Sequence, residues 1–268
     1  MLENMLIIDA HIHIHECFDI EKFFDFAWDN FQYQAVKLQA GSFTGVLCLT
    51  EKSGTDVFGT LEKIAAKQEK TGDWDIRFTE EENSLLLSKN DFRMIVIAGR
   101  QIVTSQKLEV LAIGLKQDVE DGKPIEPILA YVVETGAIPV IPWGFGKWFS
   151  GRRKIMEKII SQKKYPFFLG DNGNRPWIFT KPRLIRKAYK NNILNLPGSD
   201  PLPYCREIHK PGSFGLYVEA GINTDKPFES IYQVLTTGGQ PETYGKSEKI
   251  YFFLKNQISI QLAKRNRK

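Results

Sequence analysis

Three of the chain's four histidines fall on alternating positions of one short run, IIDAHIHIH, from Ile7 to His15. In an extended strand that spacing puts Asp9, His11, His13 and His15 on one face, behind apolar residues that anchor the strand in a core. Two imidazoles on one strand present two nitrogen donors to a single divalent ion, which is the chemistry of a hydrolytic metal site. The same alternation also describes an edge strand whose polar face meets water. Its place tips the balance, because the run follows Ile7 and Ile8 and precedes a helix-like segment, so the histidines are expected at the mouth end of a first strand. His11 and His13 are the expected ligands, and His15 is read as a group beside the ligands or, preferably, a surface residue.

A second stretch could bind an anion. WGFGKWFSGRRK, residues 143–154, offers Lys147, Arg152 and Arg153 to a phosphate or carboxylate, and Trp143, Phe145 and Trp148 to a ring. The competing reading is a solvated loop with a packed aromatic anchor. Arg100 and Arg175, each beside an expected strand end, add further anion contacts. Ser199 has no GxSxG elbow around it and no GxxxxGK[ST] loop occurs, so serine hydrolysis and a P-loop nucleotide site lack support. His209, alone in EIHKPGSFG, reads as structural.

The elements that must position these residues follow from periodicity. MLIIDAHIHIH reads as a strand, IEKFFDFAWDNFQYQAVKLQ as a helix with Asp19 as its cap and Gly41 as its stop, FTGVLCLTE as a buried strand, and LEKIAAKQEK as part of a second helix. From residue 74 to 114 the pattern becomes β-like throughout, predicting a β-meander grafted onto the strand-helix rhythm. The rhythm then resumes in PILAYVVETG (helix), AIPVIPW (strand), RRKIMEKIISQKK (helix), PFFLGDN (strand), RLIRKAYKNN (helix) and ILNLPGSD (strand). GLYVEAGI (strand) and PFESIYQVLTTG (helix) close the series. Repeated strand-helix units predict a parallel sheet, as a barrel or an open doubly wound sheet, and the barrel is favoured. The expected fold is an α/β barrel with active residues at the carboxyl ends of its strands. One domain over residues 1–268 is expected, with 74–114 as a β-rich insertion and 260–268 as a basic tail.

IIDAHIHIH resembles the first-strand DxHxH signature shared by amidohydrolase-type barrels and by the polymerase-and-histidinol-phosphatase (PHP) phosphoesterases. FRMIVIAGRQIVTSQKLEVLAIGL is similar to the PHP segment that ends a strand in Gly-x-Glu-Ile, and LPGSDPLP is similar to its Gly-Ser-Asp-x-His strand end. The resemblance runs over roughly residues 5 to 235, favours the PHP type and implies a distorted (β/α)7-8 TIM-like barrel. Departures accompany it. Glu51 and Lys52 stand where the family has Asp and His after the second strand, and Gly99-Arg100-Gln101 stands where it has Gly-x-Glu. Trp143 follows Pro142 where the family has Ala-His-Pro, and Leu202 occupies the last His position. What the resemblance leaves is a mononuclear set of His11, His13 and Asp200, completed by Asp171, Gln101 or water and suited to zinc, manganese or iron. Asp171, where it is not a ligand, is a candidate general base. For either aspartate a helix cap or turn residue is the alternative.

The 268 residues are 42% hydrophobic and 12% aromatic, enough for a full core. Lys plus Arg (36) exceeds Asp plus Glu (32), largely in the last residues, AKRNRK. No basic stripe interleaved with aromatics occurs, so nucleic acid is not the expected partner. Three unclustered cysteines, no apolar run of membrane length and no basic-then-apolar leader point to a cytoplasmic protein. The expected activity is metal-dependent hydrolysis of a small phosphorylated molecule. Amidohydrolase-type C–N or C–O cleavage, or a ligand-binding module on a degenerate PHP-like frame, are the alternatives.

Overall fold

The computed structural model describes residues 4–144, 146–148, 151–176, 182–237 and 241–265. Phe145, and residues 266–268 of the expected basic tail, lie outside the described residues.

The first strand, β1 (Met5–Ile12), is buried along its whole length. Helix α1 (Ile20–Lys37) starts where the Asp19 carboxylate accepts the Lys22 N–H, and it turns Phe23, Phe24, Ala27, Trp28 and Phe31 inward. It stops before the expected Gly41, the chain leaving through Gln39 at φ 55°. Strand β2 (Phe43–Leu49) runs parallel to β1. Gly45 lets α1 lie close to it, since a Cβ there would sit 2.4 Å from the Phe31 ring. Strand β3 (Glu51–Lys52) continues β2 directly. Helix α2 (Val57–Ala66) begins ahead of the expected LEKIAAKQEK because two carboxylates cap it. Glu51 accepts the N–H groups of Val57 and Phe58, and Asp56 accepts that of Gly59.

The β-like stretch forms β4 (Lys70–Thr71), β5 (Trp74–Phe78), β6 (Ser84–Lys89), β7 (Phe92–Ile97), β8 (Gly99–Val103) and β9 (Glu109–Ile113). Antiparallel pairing of β5, β6 and β7 bears the meander shape out, but it is not an insertion. β7 pairs parallel with β2, and β8 pairs parallel with β3, so the run is woven into the main sheets. The chain passes from one sheet to the other at Ala98 and Gly99, where a Cβ on Gly99 would lie 2.2 Å from the Leu49 carbonyl oxygen.

The later elements are α3 (Ile125–Glu134), β10 (Ile138–Pro142), α4 (Gly151–Gln162), β11 (Phe168–Gly170), α5 (Arg183–Tyr189), β12 (Phe214–Glu219), α6 (Pro227–Thr236), β13 (Glu242–Gly245) and α7 (Ile250–Arg265). The last two were not anticipated. β12 pairs antiparallel with β1, which ends the parallel rhythm there.

The strands lie in two sheets, ordered β13-β12-β1-β2-β7-β6-β5-β4 and β11-β10-β9-β8-β3. The fold is thus mixed α/β, and no closed ring of paired strands occurs among the described residues. Between the sheets runs the segment 194–200, expected as a strand. It bonds on one side to β11 and the residues after it, through Leu196 N–H to the Leu169 carbonyl and Gly198 N–H to that of Asp171. On the other side Ala10 N–H donates to the Pro197 carbonyl and Asp200 N–H to that of His11. Pro197 has no N–H and Asp200 leaves extended geometry at φ 48°, so the segment makes only isolated bridges. No helix among the described residues is long and apolar enough to cross a membrane.

Candidate metal centre

The segment 194–200 meets the end of β1 at Gly198, where a Cβ would lie 2.2 Å from the His11 backbone nitrogen. That close approach brings Asp200 to the histidines. Nε2 of His11 lies 3.1 Å from Nε2 of His13, and Oδ1 of Asp200 lies 3.5 Å from the first and 3.6 Å from the second. Metal bonds of about 2.1 Å place neighbouring donors about 3.0 Å apart in an octahedron and about 3.4 Å apart in a tetrahedron. The three atoms therefore form a face that fits one divalent ion, and among the described residues theirs is the one His, Cys, Asp and Glu cluster of that kind. Two imidazole nitrogens and one carboxylate oxygen suit zinc, manganese or iron.

The surroundings hold the three in place. The Asn172 side-chain amide donates to Oδ2 of Asp200 at 2.8 Å and to the Trp143 carbonyl at 3.1 Å, while Asn174 donates to the Asp200 carbonyl at 2.6 Å. The left-handed backbone of Asp200 is strained for a residue with a side chain, and these bonds over-determine it. Asp9, fully buried, accepts N–H groups of Ser199 (2.8 Å), Gly212 (2.9 Å) and His11 (3.3 Å), which ties β1 to the Asp200 loop. Burial pushes the Asp9 carboxyl up to about 7 in spite of those donors.

Charge at the centre is set for metal. Burial, and then the adjacent His11, hold the His13 imidazole well below its ordinary range, so its lone pair is free at neutral pH. Burial works against ionisation of Asp200. His11, His13, Lys147 and Lys52 outweigh it, and the carboxyl sits at about 2.

No protein-family model and no curated protein matches the chain. Solved structures do. PsfC from Pseudomonas syringae PB-5123 matches with a TM-score of 0.61 at 12% identity, over 97% of this chain and 99% of that one. Endonuclease Q from Pyrococcus furiosus matches with a TM-score of 0.53 at 12% identity, over 89% of this chain but 57% of its own. An Endonuclease Q complex with a 27-mer duplex substrate, an abasic lesion at its active site, matches with a TM-score of 0.52 at 13% identity, over 91% of this chain and 59% of that one. The chain shares the fold of PsfC and of part of Endonuclease Q.

On this frame the other residues expected at the site take different places. Asp171 is buried at the end of β11, but both its oxygens accept from Arg175, at 3.0 and 2.7 Å. The pair stands apart from the metal cluster, and the Arg175 guanidinium is committed to that carboxylate. Arg100 is not turned to the mouth. Its guanidinium donates to the carbonyls of Thr55 and Lys116 and lies 3.3 Å from Glu51, clamping the β3–α2 turn to the chain after β9. Alternation along β8 is the reason, since Arg100 and Gln101 face opposite ways. Gln101 is buried and pairs in register with Lys52. Lys147 lies by Asp200 and is ion-paired with Glu109. Arg152 donates to the Gly146 carbonyl at 2.7 Å, and Arg153 pairs with Glu157. Trp143 and Trp148 are packed in the core. His209 is held by its loop, its carbonyl accepting from Asn30.

Sequence reading missed Asn172 and Asn174, although both stand in the quoted run FLGDNGNRP beside Asp171. It also preferred the surface for His15 over a place beside the ligands. The His15 Nε2 is 2.9 Å from the Pro201 carbonyl and its ring is 5.7 Å from that of His13, at the edge of a cleft of about 660 Å³. Cys17 lines this cleft and, though distant in sequence from Cys205, shares a hydrogen bond with it that holds the Cys17 thiol above its usual range.

Proposed function

We propose that the chain is a metal-dependent phosphoesterase that works with one divalent ion held by His11, His13 and Asp200. The observation that carries this reading is the triangle of donor atoms with edges of 3.1, 3.5 and 3.6 Å. Likeness of fold to Endonuclease Q agrees with it. Hydrogen bonds from 194–200 to both sheets support taking the two as parts of one distorted barrel with the triad at its mouth.

An ion held there supplies a Lewis acid for a phosphoryl oxygen and a water made acidic enough to ionise near neutral pH. The remaining work falls to the chain. Asn172 fixes which oxygen of Asp200 faces the ion, and Asp9 holds β1 against the Asp200 loop. The ammonium group of Lys52, with that of Lys147 shared by Glu109, acts on Asp200 and balances the charge of a bound phosphoryl group. That positive charge favours phosphate over the amidohydrolase alternative. Glu51 and Arg100, spent on each other and on capping α2, leave no carboxylate there for a second ion. In this reading Asp171 and Arg175 support the mouth from within, and Gln101 or water completes the coordination.

The test is a hydrolysis assay with zinc, manganese and iron on small phosphomonoesters, phosphodiesters and nucleic acid, since Endonuclease Q keeps nucleic acid among the substrates to try. Metal-dependent phosphate release that Asp200→Asn abolishes supports the proposal. Amide cleavage without phosphate release contradicts it.

A further inference from the structure

We infer that the substrate is a small molecule with one phosphoryl group on a neutral or cationic alcohol, and that the cleft beside the triad receives the alcohol. The inference rests on the phosphoesterase reading. At about 660 Å³ the cleft suits a metabolite-sized group. It adjoins the triad through His15, which lines it and whose ring lies 5.7 Å from that of His13.

Its lining decides what enters. Ile14, Phe18, Ile20 and Val57 give apolar wall, and Thr55 and Thr60 give hydroxyls. The charged side chains among the described lining residues are Glu16 and Asp56, both acidic. An anion would ordinarily find the first turn of α2 attractive. Here those amides are taken, Val57 and Phe58 by Glu51 and Gly59 by Asp56. A second phosphate in the cleft thus meets carboxylates and, among the described lining residues, no cation. Near the triad, Arg100 and Arg175 are spent on carbonyls and on Asp171, which leaves Lys52, and Lys147 shared with Glu109, as the positive groups acting on Asp200. The arrangement holds one phosphoryl group, whereas a nucleic-acid strand needs cations along its length.

The experiment is calorimetric binding of uncleavable phosphonates of similar length to the zinc-loaded protein. The probes are aminoethylphosphonate (cationic), propylphosphonate (neutral) and phosphonopropionate (anionic), with a single-stranded oligonucleotide beside them. The cationic and neutral probes are expected to bind about fivefold or more tighter than the anionic one, a contrast typical of exposed charges. Glu16→Lys is expected to shrink or reverse that contrast while zinc content stays the same. Equal binding of all three probes, or an oligonucleotide that outcompetes them, overturns the inference and leaves the phosphoesterase reading standing. Retention of zinc with no binding of any probe overturns the phosphoesterase reading itself, and this inference with it.

Discussion

The Asn172 amide reaches Oδ2 of Asp200 at 2.8 Å, so that Oδ1 is the oxygen facing both histidine Nε2 atoms. A group that orients a ligand in this way tunes affinity without touching the ion. Asn172→Ala is therefore expected to weaken zinc binding about 10- to 100-fold, measured by competition with a chromophoric chelator. Unchanged affinity would mean that the amide only ties Asp200 to Trp143.

Gly198 sets the distance between β1 and the Asp200 loop. Any side chain there pushes on the His11 backbone, because a Cβ would sit 2.2 Å from its nitrogen. Gly198→Ala should lower the melting temperature and weaken zinc binding together. A variant that keeps both would show that the loop can retreat without moving Asp200.

The Asp171–Arg175 pair is buried, with side chains 3% and 7% exposed. Removing either partner strands a charge in the core, and Arg175→Ala is expected to cost about 3–5 kcal/mol of stability in urea unfolding. Zinc stoichiometry should not change in Arg175→Ala or in Asp171→Ala. Loss of the ion in Asp171→Ala with the fold intact would return Asp171 to the ligand set.

Asp9 gives a pH dependence with a definite sign. Its folded carboxyl sits at about 7 and an unfolded one near 3.8, so the folded state keeps a proton that the unfolded state releases. The stability linked to that proton is fully present below about pH 4 and is lost as pH rises through about 7. In metal-free protein the wild type should lose stability relative to Asp9→Asn over that window, as followed by urea unfolding at a series of pH values. A gap between the two that stays constant with pH would place the Asp9 carboxyl in its ordinary range.

Much of this was legible from residue types. Alternation of histidines after Ile7 and Ile8, and the GSD turn far along the chain, pointed to the three side chains that the fold brings together. Most helices were legible too, through caps such as Asp19 and apolar spacing. What was not legible depends on partners distant in sequence. Arg100 and Arg175 look like free cations in the chain, and their commitment to Glu51, Lys116 and Asp171 arises from packing. Strand pairing is likewise non-local. Nothing in FRMIVIAGRQIVT shows that its halves pair with β2 and β3, and nothing in GLYVEAGI shows that it runs antiparallel to β1. Asn172 was overlooked because an amide gives no charge signal, and its role depends on the carboxylate of Asp200, 28 residues away.

The most direct test of the central claim is the metal content of the purified protein by inductively coupled plasma mass spectrometry, for wild type and for the His11→Ala, His13→Ala double variant. The account predicts close to one equivalent of zinc, manganese or iron in the wild type, as isolated or after loading, and none in a double variant that retains its circular dichroism. A wild type that stays empty after incubation with all three metals, or a double variant that keeps its ion, would contradict it.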